Sequence, residues 1–152
     1  MPVLLFVYGT LKQGFPNHDR MVGRRVGGVW RTAQALPLYV VRLPLEDRAP
    51  WLMNQPGEGL CVQGEVYEVD TSLLPAMDRF EEVGLPTGYE RVTIELESVE
   101  RGGPRLQAQA YVKPASHLAQ CVSLEGPFAD FTRELARGYW LELPADHPYA
   151  SS

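Results

Sequence analysis

Prolines and glycines, 13 and 14 of them, punctuate this chain too often for long helices to form. Each proline fixes φ and removes a backbone donor, and each glycine frees the chain where it must turn, so the spacing predicts short strands joined by tight turns. Between these breaks, the apolar run Val3-Leu4-Leu5-Phe6-Val7 leads directly into Tyr8-Gly9-Thr10-Leu11. That pattern predicts a buried N-terminal strand ending in a turn of small residues. Gly9 lets a ligand approach the main chain, and Thr10 adds a hydroxyl at the same place. Taken alone, the stretch is equally an ordinary strand with its turn or a ligand loop.

The remaining segments read in the same short units. Residues 61–69 have the alternation and the β-branched and aromatic content of a strand, with Gly64 marking a bulge or a close backbone contact. Residues 89–99 and 106–112 form a hairpin about Gly102-Gly103-Pro104, and residues 26–29 and 33–41 read as extended. Residues 42–59 read as a long irregular connection whose Trp51, Leu52 and Met53 cover either the core edge or a pocket. Asn17 is a candidate cap for a short helix over 17–22, and Asp70-Thr71-Ser72 cap one over 73–83, with Pro75 in its first turn. Phe128, Phe131, Leu135 and Tyr139 fall at helical intervals and predict a C-terminal helix, while residues 146–152 read as a frayed tail. The sum is an α+β chain with one domain over residues 1–145. Its mostly antiparallel sheet is curved or barrel-like, with five to seven strands and two or three helices.

Composition narrows the function classes. With 152 residues, 45% hydrophobic and 22% charged, the chain suits a globular domain with a core. A net charge of −5, and no basic cluster larger than Arg24-Arg25, argue against nucleic acid or an anionic membrane as partner. The N-terminal apolar run is too short for a signal segment or a membrane span, so a cytoplasmic location is expected. Cys61 and Cys121 lack paired spacing and read as buried free thiols, and His18, His117 and His147 lack ligand spacing, so no metal site is expected.

One charge falls where an apolar residue belongs. On a helical wheel centred on Met77, Leu73, Leu74 and Phe80 lie within about 60°, Glu81 lies at about 40° and Glu82 near 140°. Glu81 therefore faces the core or a cavity at its margin, whereas Glu82 reads as a solvated surface charge. A buried carboxylate must be compensated. Either a structural partner such as Arg91 holds Glu81, or desolvation raises its pKa toward the range of a useful base at neutral pH.

Together these residues resemble a known family. Tyr8-Gly9-Thr10-Leu11-Lys12, Gly14 and Pro16-Asn17-His18 come first, then Pro50-Trp51-Leu52, Pro56-Gly57 and Gly64-Glu65-Val66-Tyr67. Asp78-Arg79-Phe80-Glu81 and Gly88-Tyr89-Glu90-Arg91 complete the ordered set. It resembles the gamma-glutamylcyclotransferase family, and within it the gamma-glutamylamine cyclotransferase branch, over roughly residues 3 to 112. The resemblance implies a barrel-like fold with a cavity at its mouth, a small gamma-glutamyl substrate and no cofactor. It implies that the substrate's own α-amine attacks its γ-carbonyl, giving 5-oxoproline and a free amine. Glu81 would be the acid/base, and Tyr8, Gly9, Thr10 and Leu11 the loop that binds the glutamyl group. Trp51 is a further candidate wall of the pocket, and Tyr89, Arg91 and Tyr111 sit at strand positions that either line it or face solvent. The alternative is a non-catalytic small-molecule binding module using the same pocket.

Overall fold

The N-terminal strand β1 (Pro2–Val7) has apolar residues on both faces because both faces are covered. Leu5 and Val7 pack with Tyr67, Val69, Leu74 and Tyr111, while Phe6 and the following Tyr8 enter a second cluster with Val66, Leu96, Ala108 and Ala110. The computed structural model describes all residues except 1, 19, 20, 22, 87, 101–103 and 142–152.

Two-sided burial follows from closure of the sheet. β1 pairs antiparallel with β6 (Gln63–Asp70) on one side and parallel with β8 (Arg105–Val112) on the other. β8 pairs with β7 (Glu90–Ser98), β7 with β3 (Trp30–Thr32), and β3 returns to β6, so five strands close into a small barrel. The two-residue β2 (Arg24–Arg25) adds to the free flank of β6. A Cβ on Gly64 would collide with the Val7 carbonyl and the Phe6 ring, which makes this glycine a point of close backbone approach.

A second sheet lies against the barrel. The hairpin β4 (Leu38–Leu43) and β5 (Glu46–Leu52) is flanked by β9 (Ser123–Glu125) on β4 and β10 (Trp140–Leu141) on β5. Leu38, Val40 and Leu52 join the Phe6 cluster, and Val41, Ala49, Trp51 and Met53 form a third cluster on the other face. Here the expected irregular connection over 42–59 is corrected: it contains the whole of β5. Pro50 is tolerated opposite Val40 because β10 reaches β5 only at Glu46 and Asp47, leaving the strand a single neighbour near the proline. The expected strand over 26–29 is displaced to β3, where Trp30 is buried and donates its indole N–H to the Val26 carbonyl at 2.9 Å.

The helices are shorter than their sequence patterns. Asp70 caps a 3₁₀ turn at Thr71–Leu73, accepting the Ser72 N–H at 2.9 Å, and α1 (Leu74–Phe80) follows with Pro75 in its first turn. α1 stops before the expected residue 83. The Glu81 carbonyl instead accepts the Tyr89 N–H at 2.9 Å and turns the chain toward β7, while Glu82 takes a left-handed φ of 58°. A second 3₁₀ segment spans Ala115–Gln120. The expected C-terminal helix reduces to one turn, α2 (Arg133–Ala136). Phe131 is fully buried and the Phe128 N–H bonds the Leu38 carbonyl, so the apolar spacing there records core contacts of a mostly extended segment. The short helix expected over 17–22 falls partly on residues 19, 20 and 22, and the tail over 146–152 falls wholly outside the described residues. Both cysteines are free, but Cys61 is exposed and Cys121 half-buried, against the expectation of buried thiols. Among the described residues no helix is long and apolar enough to cross a membrane.

Candidate active site

Where β1 leaves the barrel, its turn, the end of α1 and the start of β5 enclose a cavity of about 540 Å³. Tyr8, Gly9, Thr10 and Leu11 form one wall, Glu81 and Glu82 another, Glu46, Pro50 and Trp51 a third, and Tyr89, Tyr111, Lys113 and Tyr139 complete the ring.

The turn after β1 is held by its own backbone and by distant segments. Lys12 N–H donates to the Gly9 carbonyl at 3.1 Å and Asn17 N–H to the Thr10 carbonyl at 2.8 Å. Lys12 is buried, and its ammonium bonds Asp130 at 2.8 Å and the Phe131 carbonyl at 2.7 Å, tying the turn to the segment before α2. A Cβ at position 9 would strike the Pro50 ring, so only glycine lets the turn lie this close to β5. The N–H groups of Gly9, Thr10 and Leu11 donate to no protein acceptor among the described residues. Successive free donors of this kind form a concavity suited to an anion or a developing oxyanion.

Glu81 reaches the cavity from the C-cap of α1, with its N–H bonded to the Met77 carbonyl at 2.9 Å. A Cβ on Gly88 would collide with the Glu82 carbonyl, so the 81–88 turn closes only around glycine. Burial raises the Tyr8 phenol far above its usual value, and the Glu81 charge adds to the rise. Tyr89, Tyr111 and Tyr139 are likewise raised, burial leading in each and Glu81 contributing. Four phenols therefore stay protonated beside the cavity's carboxylates, and each spends its proton within the protein: Tyr8 on the Tyr111 carbonyl, Tyr89 on the Pro50 carbonyl, Tyr111 on Asp78 and Tyr139 on Glu46.

Three cavity groups escaped the sequence reading. Glu46 at the start of β5 is half-buried, and desolvation pushes its carboxyl up to about 7 although Lys113 and the Tyr139 hydroxyl oppose the rise. Burial lowers the Lys113 ammonium, against the raising effect of Glu46, Glu81 and Glu82. Its Nζ lies 4.7 Å from the Trp51 ring centroid and 4.4 Å from that of Tyr89. Tyr139 arrives from the far end of the chain and hydrogen-bonds Asn17 at 2.9 Å and Glu46 at 3.4 Å.

A family model described as gamma-glutamyl cyclotransferase, AIG2-like, matches residues 5–140. The chain belongs to this family. Among its relatives, the gamma-glutamylaminecyclotransferase of Rattus norvegicus is 40% identical over 116 residues, covering 71% of this chain and 74% of the relative. That of Homo sapiens is 33% identical over 153 residues, covering 97% and 90%. The crystal structure of an AIG2-like protein from Mus musculus superposes with a TM-score of 0.72 at 32% identity, covering 86% of this chain and 88% of that one.

Within this cyclotransferase-family fold, the cavity brings together Tyr8, Gly9, Thr10, Leu11, Trp51, Glu81, Tyr89 and Tyr111, all singled out from the sequence. Arg91 is not among the lining residues. It forms a bidentate pair with Asp78 at 2.9 and 3.3 Å, and Asp78 also accepts the Tyr111 hydroxyl at 2.7 Å. The structural pairing of Arg91 with Glu81 is thus replaced by a brace one turn earlier on α1. Glu82, expected on the surface, is half-buried and lines the cavity because the chain leaves the helix before it. Among the described residues no group of three or more His, Cys, Asp or Glu is arranged to hold a metal ion.

Proposed function

We propose that this chain is a gamma-glutamylamine cyclotransferase that releases 5-oxoproline and a free amine. The observation that carries the reading is the meeting of the Glu81 carboxylate and the unbonded Gly9, Thr10 and Leu11 N–H groups in one cavity, in a chain whose relatives are named for this activity.

The substrate brings its own nucleophile. Glu81 takes a proton from the substrate α-ammonium, and the freed amine attacks the γ-carbonyl, forming the ring C–N bond. The γ-carbonyl oxygen becomes an oxyanion that the turn donors stabilise. As the intermediate collapses, Glu81 gives the first proton to the leaving nitrogen and the bond to that nitrogen breaks; the ring nitrogen then sheds its second surplus proton to the same carboxylate, and the amine departs as an ammonium. Two protons thus pass from the α-nitrogen to the leaving nitrogen, so protons balance and no other reactant is consumed. The turn and the aromatic walls fold the glutamyl chain into attack geometry, and such positioning supplies a large share of the rate. The phenol protons of Tyr8, Tyr89 and Tyr111 are held by the Tyr111 carbonyl, the Pro50 carbonyl and Asp78, so these rings shape the wall around the reacting centre and leave the donor role to the turn.

The test measures 5-oxoproline from a panel of gamma-glutamyl amines. Glu81→Gln is expected to lower kcat by about 10²- to 10⁴-fold while leaving 5-oxoproline binding and Tm near those of the unaltered chain. Undiminished turnover in this variant would remove Glu81 from the mechanism. Ligand-dependent stabilisation without product in the unaltered chain would favour the binding-module reading.

A further inference from the structure

Four polar side chains, two from the turn after β1 and one each from β5 and the C-terminal segment, join in one line beside the cavity. Asn17 Nδ2 donates to Thr10 Oγ1 at 2.9 Å and to the Tyr139 hydroxyl at 2.9 Å, and that hydroxyl donates to Glu46 Oε2 at 3.4 Å. Asn17 is buried, and Thr10, Tyr139 and Glu46 all line the cavity.

The direction of these bonds follows from their end. Once ionised, Glu46 only accepts, so in that state Tyr139 spends its proton on it. Its oxygen must then accept from Asn17, which requires the NH₂ side of the carboxamide rather than its carbonyl to face the pair of hydroxyls. With one N–H given to Tyr139, the other goes to Thr10 Oγ1. Thr10 thereby becomes an acceptor toward Asn17, and its own proton is left for something else. Among the described residues no acceptor takes that proton. The opposite polarity, with the Asn17 carbonyl accepting from both hydroxyls, would bury the Thr10 proton inside the protein.

We propose that Glu46 is a positioning residue that, through Tyr139 and Asn17, fixes the polarity of this chain so that the Thr10 hydroxyl is presented as a hydrogen-bond donor to the anionic end of the ligand. This deepens the cyclotransferase reading and rests on it for the identity of that ligand. Glu46 then acts on ground-state binding rather than on the proton transfers that Glu81 carries, and its effect must pass through one atom, Thr10 Oγ1.

A double-mutant cycle tests this, with 5-oxoproline as the binding probe and a gamma-glutamyl amine as substrate. Glu46→Gln lets an amide face Tyr139, and Asn17→Asp forces both hydroxyls to donate inward. Each is expected to raise the 5-oxoproline Kd and the substrate KM by about 5- to 30-fold, the loss of one hydrogen bond to a charged group, with kcat within about threefold. In a Thr10→Val background the same substitutions are expected to add less than about twofold, because their target atom is gone. Thr10→Ser, which keeps the hydroxyl, should restore the large effect. Tyr139→Phe severs the line without touching Glu46 or adding charge, and carries the test if Asn17→Asp does not fold. Equal effects with and without the Thr10 hydroxyl would overturn the proposal, pointing to charge or packing alone. If the unaltered chain binds 5-oxoproline but turns over no gamma-glutamyl amine, the activity reading fails and the binding arm still decides the cycle. Absence of both turnover and binding overturns the two together.

Discussion

Glu46 shows how much one side chain's surroundings alter its chemistry. Desolvation at the cavity holds its proton up to about 7, against an ordinary carboxyl value of 4.5. The sign follows from linkage: the folded state keeps the proton more tightly than the unfolded chain. The burden on stability is therefore absent below about 4.5, grows between the two values and is complete above about 7. Its ceiling is about 3 kcal/mol, and access of water to the cavity brings it nearer to about 1 kcal/mol. Thermal unfolding of Glu46→Gln is thus expected to show a Tm a few degrees above the unaltered chain at pH 8 and no gain at pH 4.5. A Tm that falls at pH 8 would mean that the bonds to Tyr139 and Lys113 outweigh the burial. Glu81 was visible from the sequence because an acid inside an apolar helical stripe is out of pattern. Glu46, Lys113 and Tyr139 were not visible, since each sits in a segment whose own pattern is irregular and converges on the cavity only through tertiary pairing.

At the level of elements, the site depends on where helices stop. The wheel that placed Glu81 inward assumed a helix through residue 83, yet α1 ends at Phe80 and Glu81 is its cap. The inward direction held because one further residue hardly rotates off the helical screw. Glu82 did not keep its expected direction, because its left-handed φ of 58° swings it back to the cavity. Two glycines in this turn serve different ends. Gly84 has φ 88° with open space around it, so Gly84→Ala should cost only the backbone strain, about 1 kcal/mol and a Tm loss of about 2–4 °C. At Gly88 a Cβ meets the Glu82 carbonyl, so Gly88→Ala should cost about 2–3 kcal/mol and also reduce turnover by displacing Glu81. Calorimetry with kinetics on both variants separates these effects, and equal losses would refute the distinction. β1, β6 and the β7–β8 hairpin were legible because period-two alternation or unbroken apolar runs fix such strands. β5 was hidden by Pro50, which is tolerated only because β10 does not reach that part of the strand. The C-terminal segment imitated a helix because its large apolar residues reach into one core at intervals that happen to match a helical turn.

For the whole molecule, a closed sheet was legible from the count of short strands and turns, but its closure was not. Nothing in β1 or β8 announces that Leu5 lies beside Gln109 in parallel, because a parallel pair needs no turn between its members. The second sheet was equally illegible, since β9 and β10 are too short to carry a period. The parallel closure also has a consequence in time. Of the barrel strands, β1 is the first a ribosome would deliver and β8 the last, with more than a hundred residues between the partners Leu5 and Gln109. Such distant contacts pay the loop entropy before they gain any packing, and they slow folding. β1 can pair with β6 earlier, but its other edge stays open until β8 arrives, and the turn with the unbonded N–H groups hangs from that half-paired strand. Nascent chains stalled before residue 105 should therefore leave β1 amides exchanging rapidly with solvent. Chains released after β8 should protect them, and early protection would show that the β1–β6 pair stands without its parallel neighbour. The turn that follows β1, made before the other barrel strands, is fixed among the last.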